Sequence, residues 1–410
     1  MAADWMRTLG ARLVFGAAIS VGLAGCGAEQ SQRESIGGSS SASPSPTLTT
    51  SPGATTVAAD WIPVEIPGMP VVSDLVERNG RLVAIGSEAL DAKGAVLAYS
   101  DDGIAWTQVD TSSLQLNGAS LFSLSAGDAG FVAFGSRMAA DFSNEDLYYF
   151  SADGIGWQLA NPPEECAAGP PARQVGSGFI KFGIICVSEG APPPGPPRVL
   201  TSADGRSWTS RIDPMLPLGS WATNGHRIVM VTACCGTDAT DVMISEDGAA
   251  TWRQIADAFP IDVSVYNVTF GHDRYVAEAS WLRRVGDPDW AVCMSLTGEV
   301  WTCEALSSGI SPGEGRRQVG SVTATSTGFA SLAVAPDDPF KPGTTVILGT
   351  STNGLAWTFE PVPAMKDSPG VGLVGTSHGV FAWGNTGEVS PDGSILAPEP
   401  YVLVYQAPLP

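Results

Sequence analysis

Basic residues and histidines are scarce in this chain of 410 residues. Its 21 lysines and arginines face 42 aspartates and glutamates, for a formal net charge of −21, and there are only 3 histidines. This acidity argues against nucleic acid as a partner and against direct adhesion to anionic lipid, because both attract basic surfaces. Charged residues make up only 15% of the chain, which excludes the heavily charged surface of a halophilic protein. After residue 26, no apolar stretch is long enough to span a bilayer as a helix.

What the chain does contain is a short pattern that occurs six times. Each copy begins with Ser, has Gly near its middle and ends on Trp. The copies are SDDGIAW at 100–106, SADGIGW at 151–157, SADGRSW at 202–208, SEDGAATW at 245–252, SLTGEVW at 295–301 and STNGLAW at 351–357. A fixed spacing of about 50 residues predicts a repeat fold. We call these segments the box turns.

The box turns resemble the Asp-box, or bacterial neuraminidase repeat, Ser-x-Asp-x-Gly-x-Thr-Trp. The copy at 245–252 has the family length, the other five are one residue shorter, and Thr297 and Asn353 replace the Asp in two of them. Asp or Asn accepts hydrogen bonds from backbone N–H groups of its own turn, and Gly takes the positive φ that the turn needs. The resemblance implies a sialidase-like superfamily in which these turns are peripheral and structural. That role is assigned to Asp102, Asp153, Asp204, Asp247 and Asn353 and to Trp106, Trp157, Trp208, Trp252, Trp301 and Trp357.

A second repeat, an apolar strand that starts at glycine, interleaves with the box turns. Its seven copies begin at Gly80, Gly130, Gly178, Gly225, Gly271, Gly328 and Gly379. The last copy is followed by one more apolar strand but by no box tryptophan, whereas Trp61-Ile-Pro-Val64 resembles the strand after each box turn. These counts predict an all-β fold, a seven-bladed β-propeller of four-stranded blades in which the N-terminal strand closes the last blade. The alternative is a six-bladed ring with irregular ends.

The first 25 residues resemble a lipoprotein signal peptide. Arg7 and Arg12 precede an apolar run at 13–23, and Leu23-Ala-Gly-Cys26 resembles a lipobox. The resemblance implies that Cys26 is lipidated and anchors the protein to the extracytoplasmic face of a cell membrane. The alternative is an ordinary secretory signal with an incidental cysteine. Residues 26–59, rich in Ser, Thr and Pro, are predicted to be a disordered tether, and residues 60–410 to be the propeller.

The other cysteines agree with export. There are six of them, an even number that suits disulfides in an oxidising compartment. Cys293 and Cys303 lie symmetrically about one box turn and are predicted to pair across its hairpin. Cys166 and Cys186 are candidates for a loop staple. For Cys234 and Cys235, a vicinal disulfide, two free thiols and a pairing of Cys186 with Cys234 all remain open.

The long connections are predicted to lie on one face of the propeller. The turn between the first two strands of a blade and the box turn are both short and share the opposite face, the short-turn face. Function tends to sit on long loops held by a rigid scaffold, so the long-loop face is where a ligand is expected. His226, His272 and His378 all lie beside a glycine at the short turns, where His tolerates positive φ. The long-loop face should therefore lack the histidine that a Ser-His-Asp triad or a His-based zinc site requires, and we predict no metal and no cofactor.

Arginines and aromatic residues are the candidate ligand-binding residues of the long-loop face. Trp281, Arg283, Arg284 and Trp290 fall in one connection, and such clusters are common at interaction hot spots, although they also pack loops down. Arg173 and Arg317 each begin an Arg-Gln-Val-Gly segment that opens the innermost strand of a blade. At the mouth of the central channel, this pair could bind a carboxylate or a sugar, or each could simply form a salt bridge.

These features predict a monomeric, lipid-anchored propeller that acts as a scaffold for an envelope protein or a glycan. The alternative is an exo-glycoside hydrolase of the sialidase type, which needs an arginine triad, a Tyr–Glu pair and an Asp. The early Phe/Tyr-Arg-Ile-Pro motif of sialidases is missing, and Tyr266 has no glutamate partner that the sequence identifies. We therefore assign no catalytic residue and do not predict an enzyme. A purely structural envelope protein is the third possibility.

Overall fold

The computed structural model describes residues 61–406 with several gaps. The gaps are 89–93, 115, 139–143, 162–166, 169–170, 186–195, 215, 217–218, 234–239, 282–288, 307–317, 336–344, 363–364, 366–369, 386–387, 390–394 and 398–400. The predictions for the signal peptide, the tether and Cys26 lie outside the described residues. So do those for Arg283, Arg284, Arg317, Cys166, Cys186, Cys234 and Cys235. Within the described part of the chain, no helix is long and apolar enough to cross a membrane.

The described residues form antiparallel sheets that follow one another along the chain. The first strand, β1, is Ile62–Val64. Sheet 1 contains β2 (Val71–Arg78), β3 (Arg81–Ser87), β4 (Ala95–Ser100) and β5 (Thr107–Gln108). Sheet 2 contains β6 (Ala119–Gly127), β7 (Gly130–Met138), β8 (Asn144–Ser151) and β9 (Trp157–Leu159). Sheet 3 contains β10 (Ala167–Ala168), β11 (Arg173–Val175), β12 (Gly178–Ile185), β13 (Arg198–Ser202) and β14 (Thr209–Ile212).

The second half of the chain continues in the same way. Sheet 4 contains β15 (Ser220–Thr223), β16 (Ile228–Ala233), β17 (Thr240–Ser245) and β18 (Arg253–Ile255). Sheet 5 contains β19 (Val263–Gly271), β20 (Arg274–Trp281), β21 (Asp289–Ser295) and β22 (Thr302–Ala305). Sheet 6 contains β23 (Gln318–Ala324), β24 (Phe329–Ala335), β25 (Thr345–Ser351) and β26 (Thr358–Pro361). Then come β27 (Gly370–Gly375), β28 (Val380–Asn385), the two-stranded ribbon β29 (Glu388–Val389) and β30 (Ile395–Ala397), and β31 (Tyr401–Gln406).

The N-terminal strand completes the last sheet, as the sequence predicts. Sheet 7 has the order β1-β31-β28-β27, and β1 pairs antiparallel with β31, with Val64 opposite Leu403 and Ile62 opposite Tyr405. The first strands of successive sheets contact one another through β2, β6, β11, β15, β19, β23 and β27, and β27 returns to β2. Sheets arranged around such a closed series of inner strands form a β-propeller.

The predicted strand count is wrong for one sheet. Six sheets have the four strands of a propeller blade, so the described residues hold six four-stranded blades and not the predicted seven. Sheet 3 has five strands, because the chain before β12 is divided into β10 and β11. The two pair with opposite ends of β12, β10 with Ile184–Ile185 and β11 with Gly178–Ile180.

Four of the six box turns, those at 100–106, 151–157, 202–208 and 351–357, are closed by the full set of hydrogen bonds that their residue types predict. In the first copy, the Ser100 Oγ accepts from the Gly103 N–H at 2.9 Å. The Asp102 Oδ1 accepts from the backbone N–H groups of residues 104 and 105, both at 2.8 Å. The Trp106 Nε1–H donates to the Gly103 carbonyl at 3.1 Å. These backbone bonds favour the charged form of the carboxyl group and lower the pKa of Asp102.

The box tryptophans fill the gaps between neighbouring sheets. Each belongs to an apolar cluster shared with the preceding sheet, as Trp106 does with Phe381 and Trp157 with Ile85. Trp61 occupies the corresponding place between sheets 6 and 7, where it packs against Leu348 and Ala382. Burial of a large aromatic side chain in every gap joins each sheet to the next.

The predicted disulfide between Cys293 and Cys303 is present. The two residues are register partners on β21 and β22, on either side of the box turn at 295–301. The bond therefore closes the outer hairpin of sheet 5.

Candidate ligand site at the long-loop face

The short-turn face is closed by hydrogen bonds between neighbouring sheets. Arg78, at the end of β2, donates to the carbonyls of Gly127 at 2.6 Å, Asp128 at 2.6 Å and Ala152 at 3.0 Å, all in the next sheet. Arg227 of sheet 4 makes the same kind of contact with sheet 5, donating to the Thr297 carbonyl at 2.7 Å. These arginines hold carbonyl groups of the turns, so they are occupied in joining one sheet to the next.

Two of the histidines take part in the same junctions. His272 has the positive φ of 47° that the sequence predicts, and its Nε2 lies 2.8 Å from the Thr325 carbonyl of sheet 6. His378 lies 2.7 Å from the Gly80 carbonyl of sheet 1, and its φ is not positive. A carbonyl oxygen can only accept, so each Nε2 carries the proton. The interpretation as turn residues is therefore correct for the φ of His272, but it misses this contact between sheets.

The long-loop face differs because the inner strands bulge near their first residues. The pairing of β2, β6, β19 and β23 with the second strand of each sheet shifts register there. A β-bulge leaves one residue unpaired and turns its side chain away from the regular alternation. The unpaired residues Phe122 and Tyr266 are 52% and 48% exposed, although both belong to inner strands.

A side chain of the preceding inner strand binds the backbone just after the bulge. The Asp74 Oδ2 accepts from the Leu124 N–H of β6 at 2.7 Å. In the same way, the Ser220 Oγ accepts from the Val268 N–H of β19 at 3.0 Å. These bonds fix the bulged backbone at the junction of two sheets, which gives the exposed side chains beside them a rigid support.

Arg173 lies among the inner strands, as predicted, but without a salt bridge. Its guanidinium stands over the Trp221 ring, 5.5 Å from the centroid, and its Nε is buried with no hydrogen-bond partner among the described residues. Burial lowers the pKa of Arg173, and the charge of Asp74 partly offsets this. Burial likewise raises the pKa of Asp74 to about 6, against the opposing effects of two backbone N–H groups and Arg173.

Asp74 and Arg173 come from different sheets. They lie on β2 and β11, with β6 between these strands in the ring, and still interact electrostatically. Both keep some solvent exposure although protein surrounds them, which is the situation of side chains that line the central channel of a propeller. The channel wall at this level thus holds one carboxyl and one guanidinium group that do not bond directly.

A second polar cluster lies on sheet 5. The Tyr266 hydroxyl is 2.9 Å from the Ser280 Oγ, and its ring centroid is 5.5 Å from that of Trp290. Ser280 is the register partner of Trp290 on β21. Two residues before Ser280, Glu278 is only 7% exposed, and burial raises its pKa well above the ordinary value.

The predicted tryptophan pair does not come together. Trp281 is the last residue of β20 and packs on the core shared by sheets 4 and 5. Trp290 belongs to β21 and packs against Tyr266 in a tilted arrangement, on the face of the sheet that carries Ser280. Both were placed in a loop, yet both are strand residues. Since successive side chains of a strand point to opposite faces, Trp281 and its neighbour Ser280 are directed apart.

Sequence reasoning missed the buried ionisable groups of Asp74, Lys181 and Glu278. For Lys181 and Glu278, the second repeat contained a signal. Where Gly130-Phe-Val-Ala-Phe has Ala133 and Phe134, the corresponding segments have Lys181 and Glu278. A charged residue inside an apolar repeat is unusual, because burial of a charge is unfavourable. Lys181 lies 5.4 Å from the Phe134 ring centroid, and burial lowers its pKa to about 8. In the described part of the chain, no three His, Cys, Asp or Glu residues cluster as metal ligands would.

Known structures share this fold at low sequence identity. No family model matches the chain, and no curated protein does. The chain is similar to a structure of YCF48 bound to D1 peptide, with 14% identity, a TM-score of 0.53, and coverage of 85% of this chain and 96% of that one. It is similar to YCF48 from Cyanidioschyzon merolae, with 13% identity, a TM-score of 0.51, and coverage of 85% and 99%. A prolyl endopeptidase gives 14% identity and a TM-score of 0.51 over 83% of this chain and 50% of that chain. These similarities support the β-propeller fold.

Proposed function

We propose that this chain is an Asp-box propeller anchored to the extracytoplasmic face of a membrane by a lipid on Cys26, and that it binds an envelope protein or a glycan at its long-loop face. On this proposal, the five-stranded sheet 3 is a seventh blade, because its inner strand β11 takes its place between β6 and β15. The tether at 26–59 would hold the propeller away from the membrane.

One observation carries the binding proposal, namely the difference between the two faces. At the short turns, Arg78 and Arg227 donate to backbone carbonyls of the next sheet. At the long-loop face, the Nε of Arg173 is buried without a partner among the described residues, and Phe122 and Tyr266 are exposed on rigid bulges. Unsatisfied buried donors are unfavourable in isolation, and a bound ligand can satisfy them. Exposed aromatic residues are typical centres of binding energy.

The fold similarity supports this proposal at the level of the scaffold. One similar propeller, a YCF48, is described as bound to a D1 peptide. A propeller of this kind can therefore present a peptide-binding surface. At 14% identity, the partner itself does not carry over to this chain.

Site-specific photo-cross-linking in cells that express the full chain tests the proposal. The photoreactive residue p-benzoylphenylalanine replaces Phe122 on the inner strand β6. As a matched control, it replaces Leu159, which is 62% exposed on β9, the outer strand of the same sheet. We expect cross-links from position 122 to one envelope protein, none from position 159, and a loss of the cross-link in the Arg173→Met variant.

The outcomes separate the two ligand classes. If position 122 gives no cross-link, the full chain is applied to a glycan array, and binding that Arg173→Met abolishes would identify a glycan ligand. The same set of cross-linked proteins from both positions, or no ligand of either class, would overturn the proposal. Equal melting temperatures of wild type and Arg173→Met would show that the variant is folded.

A sialidase-type hydrolase is the second candidate, and one observation favours it. Glu278 is the register partner of Asn267, the residue next to Tyr266, which makes it a candidate for the glutamate of a Tyr–Glu pair. The proposed triad member Arg317 lies outside the described residues. Release of 4-methylumbelliferone from its sialoside by the full chain, abolished in Tyr266→Phe, would establish this activity. No release above a buffer control would exclude it.

A further inference from the structure

We propose that sheet 5 carries a socket for a basic side chain, a lysine or an arginine of a protein partner, with Glu278 as its counter-ion. The socket lies on the surface of sheet 5 that faces sheet 6, at the long-loop end. This inference rests on the binding function proposed above and specifies its chemistry at one point.

The residues of the socket lie on one face of sheet 5. Glu278 and Ser280 are two positions apart on β20, so their side chains point the same way. Trp290 is the register partner of Ser280 on β21, and Val292 is the register partner of Glu278. Tyr266 joins them from the bulge of β19 through its hydroxyl contact of 2.9 Å with the Ser280 Oγ. The socket therefore combines one carboxyl, two hydroxyls and two aromatic rings.

The floor of the socket is apolar. Val276, Val292 and Phe329 form the buried cluster between sheets 5 and 6, and Val276 and Val292 flank the position of Glu278 on that face. Glu278 has no hydrogen bond or ion pair to any residue that the structure describes. A carboxyl group against valines is unfavourable unless it is paired, so a basic group that reaches Glu278 would stabilise it.

The aromatic rings determine which partner fits. Tyr266 is exposed, and its ring and that of Trp290 are 5.5 Å apart. Aromatic faces attract ammonium and guanidinium groups, and most strongly where water is excluded. A carboxylate ligand would favour the protonated form of Glu278 and gain no ion pair, whereas a basic side chain favours the ionised form and gains both the ion pair and the contact with the rings. The net charge of −21 also draws basic partners towards the protein.

The surrounding charges agree with this assignment. Arg227 and Arg253 are engaged with Glu246 and Glu299 in ion pairs of sheets 4 and 5. Arg274, the basic residue of β20 itself, donates to the carbonyls of His272 and Asn353. It is the first residue of β20, next to the short turn and four positions before Glu278. These three arginines are therefore committed elsewhere.

Peptide binding to the full chain tests the socket. The probes are two dye-labelled peptides, Gly-Gly-Lys-Gly-Gly and its counterpart with acetyl-lysine, followed by fluorescence anisotropy. Acetylation removes the charge and keeps the length of the side chain. We expect the lysine peptide to bind at least tenfold more tightly than the acetyl-lysine peptide, and Glu278→Gln to abolish this preference. The matched control is Glu304→Gln, an exposed glutamate of β22 in the same sheet, which should leave the binding unchanged.

A second variant covers the possibility that Glu278→Gln perturbs the sheet. Tyr266 is exposed, so Tyr266→Leu should preserve the fold and weaken the lysine peptide severalfold by removing one ring and one hydroxyl. Equal affinities for the two peptides, no binding of either, or full affinity in Glu278→Gln would overturn the socket. If the cross-link from position 122 persists after such a result, the binding function stands and only the chemistry assigned to Glu278 is wrong.

Discussion

The carboxyl group of Asp74 should make the fold less stable at neutral pH than in mild acid. Burial raises its pKa from the ordinary 3.8 to about 6. The folded protein thus binds this proton more tightly than the unfolded chain does. The contribution to stability is fully present below the unfolded pKa and is lost as pH rises through the folded pKa. Two pK units correspond to about 3 kcal/mol, and the partial exposure of Asp74 in the channel reduces this to about 2 kcal/mol.

Asp74→Asn removes the titration and keeps the shape. The amide oxygen can accept from the Leu124 N–H, whereas the Leu75 N–H, which donates to the other carboxyl oxygen at 2.9 Å, loses its acceptor at every pH. The stability of the wild type relative to the variant should therefore fall by about 2 kcal/mol between pH 4 and pH 7. Urea unfolding at both pH values measures the difference, with Asp128→Asn, at the exposed turn of the next sheet, as control.

Arg173 provides a second check on the same reasoning. Its positive charge lowers the pKa of Asp74, so Arg173→Met should raise that pKa further and steepen the pH dependence. A stability difference between wild type and Asp74→Asn that does not change with pH would refute the assignment of a buried, titrating carboxyl group. So would a wild type that becomes relatively more stable as pH rises.

Two further predictions concern the box turns, and thermal or urea unfolding checks both. Trp301→Phe should destabilise the fold by about 1 kcal/mol more than Trp252→Phe. The Trp301 indole donates to the Gly298 carbonyl at 2.9 Å, whereas the Trp252 indole nitrogen is buried without a partner among the described residues. Equal losses would contradict this. Gly103→Ala should lower the free energy of unfolding more than Gly225→Ala does, although both glycines have positive φ. The added Cβ at Gly103 would lie 2.6 Å from the Phe381 ring, and that at Gly225 would meet nothing within 4 Å. A smaller loss at Gly103 would argue against close packing of sheet 1 on sheet 7.

The parts of the fold that local chemistry determines were predictable from sequence. A Ser, an Asp and a Gly at fixed spacing close the same turn wherever they occur, because their hydrogen bonds lie within the turn itself. The closing strand was predictable for a related reason. Trp61 fills the gap between sheets 6 and 7 just as a box tryptophan fills each of the others. Because the gap is filled by the same residue type, this tryptophan near the start of the chain could be identified from the sequence.

The parts that depend on strand pairing were not predictable. The bulges that expose Phe122 and Tyr266 depend on the register with the neighbouring strand. A register shift does not require a particular residue type, so the sequence carries no signal for it. The same limit explains the tryptophan error. The sequence pattern predicts Trp281 and Trp290 in one loop, but β20 and β21 include them, and the alternation of side chains along a strand then decides which face each one takes.

The separation of the two faces follows from how a propeller uses its polar groups. At a short turn, the backbone carbonyls have no partner in their own sheet, so the preceding sheet must supply one, and arginines such as Arg78 do this by reaching across the gap. These arginines of the short-turn face therefore bind backbone carbonyls and hold neighbouring sheets together. At the other face, Asp74 and Ser220 satisfy the bulged backbone from within the ring of inner strands. Arg173 and Glu278 take no part in these bonds, and the Arg173 Nε has no partner among the described residues, so both remain available to the ligand proposed above.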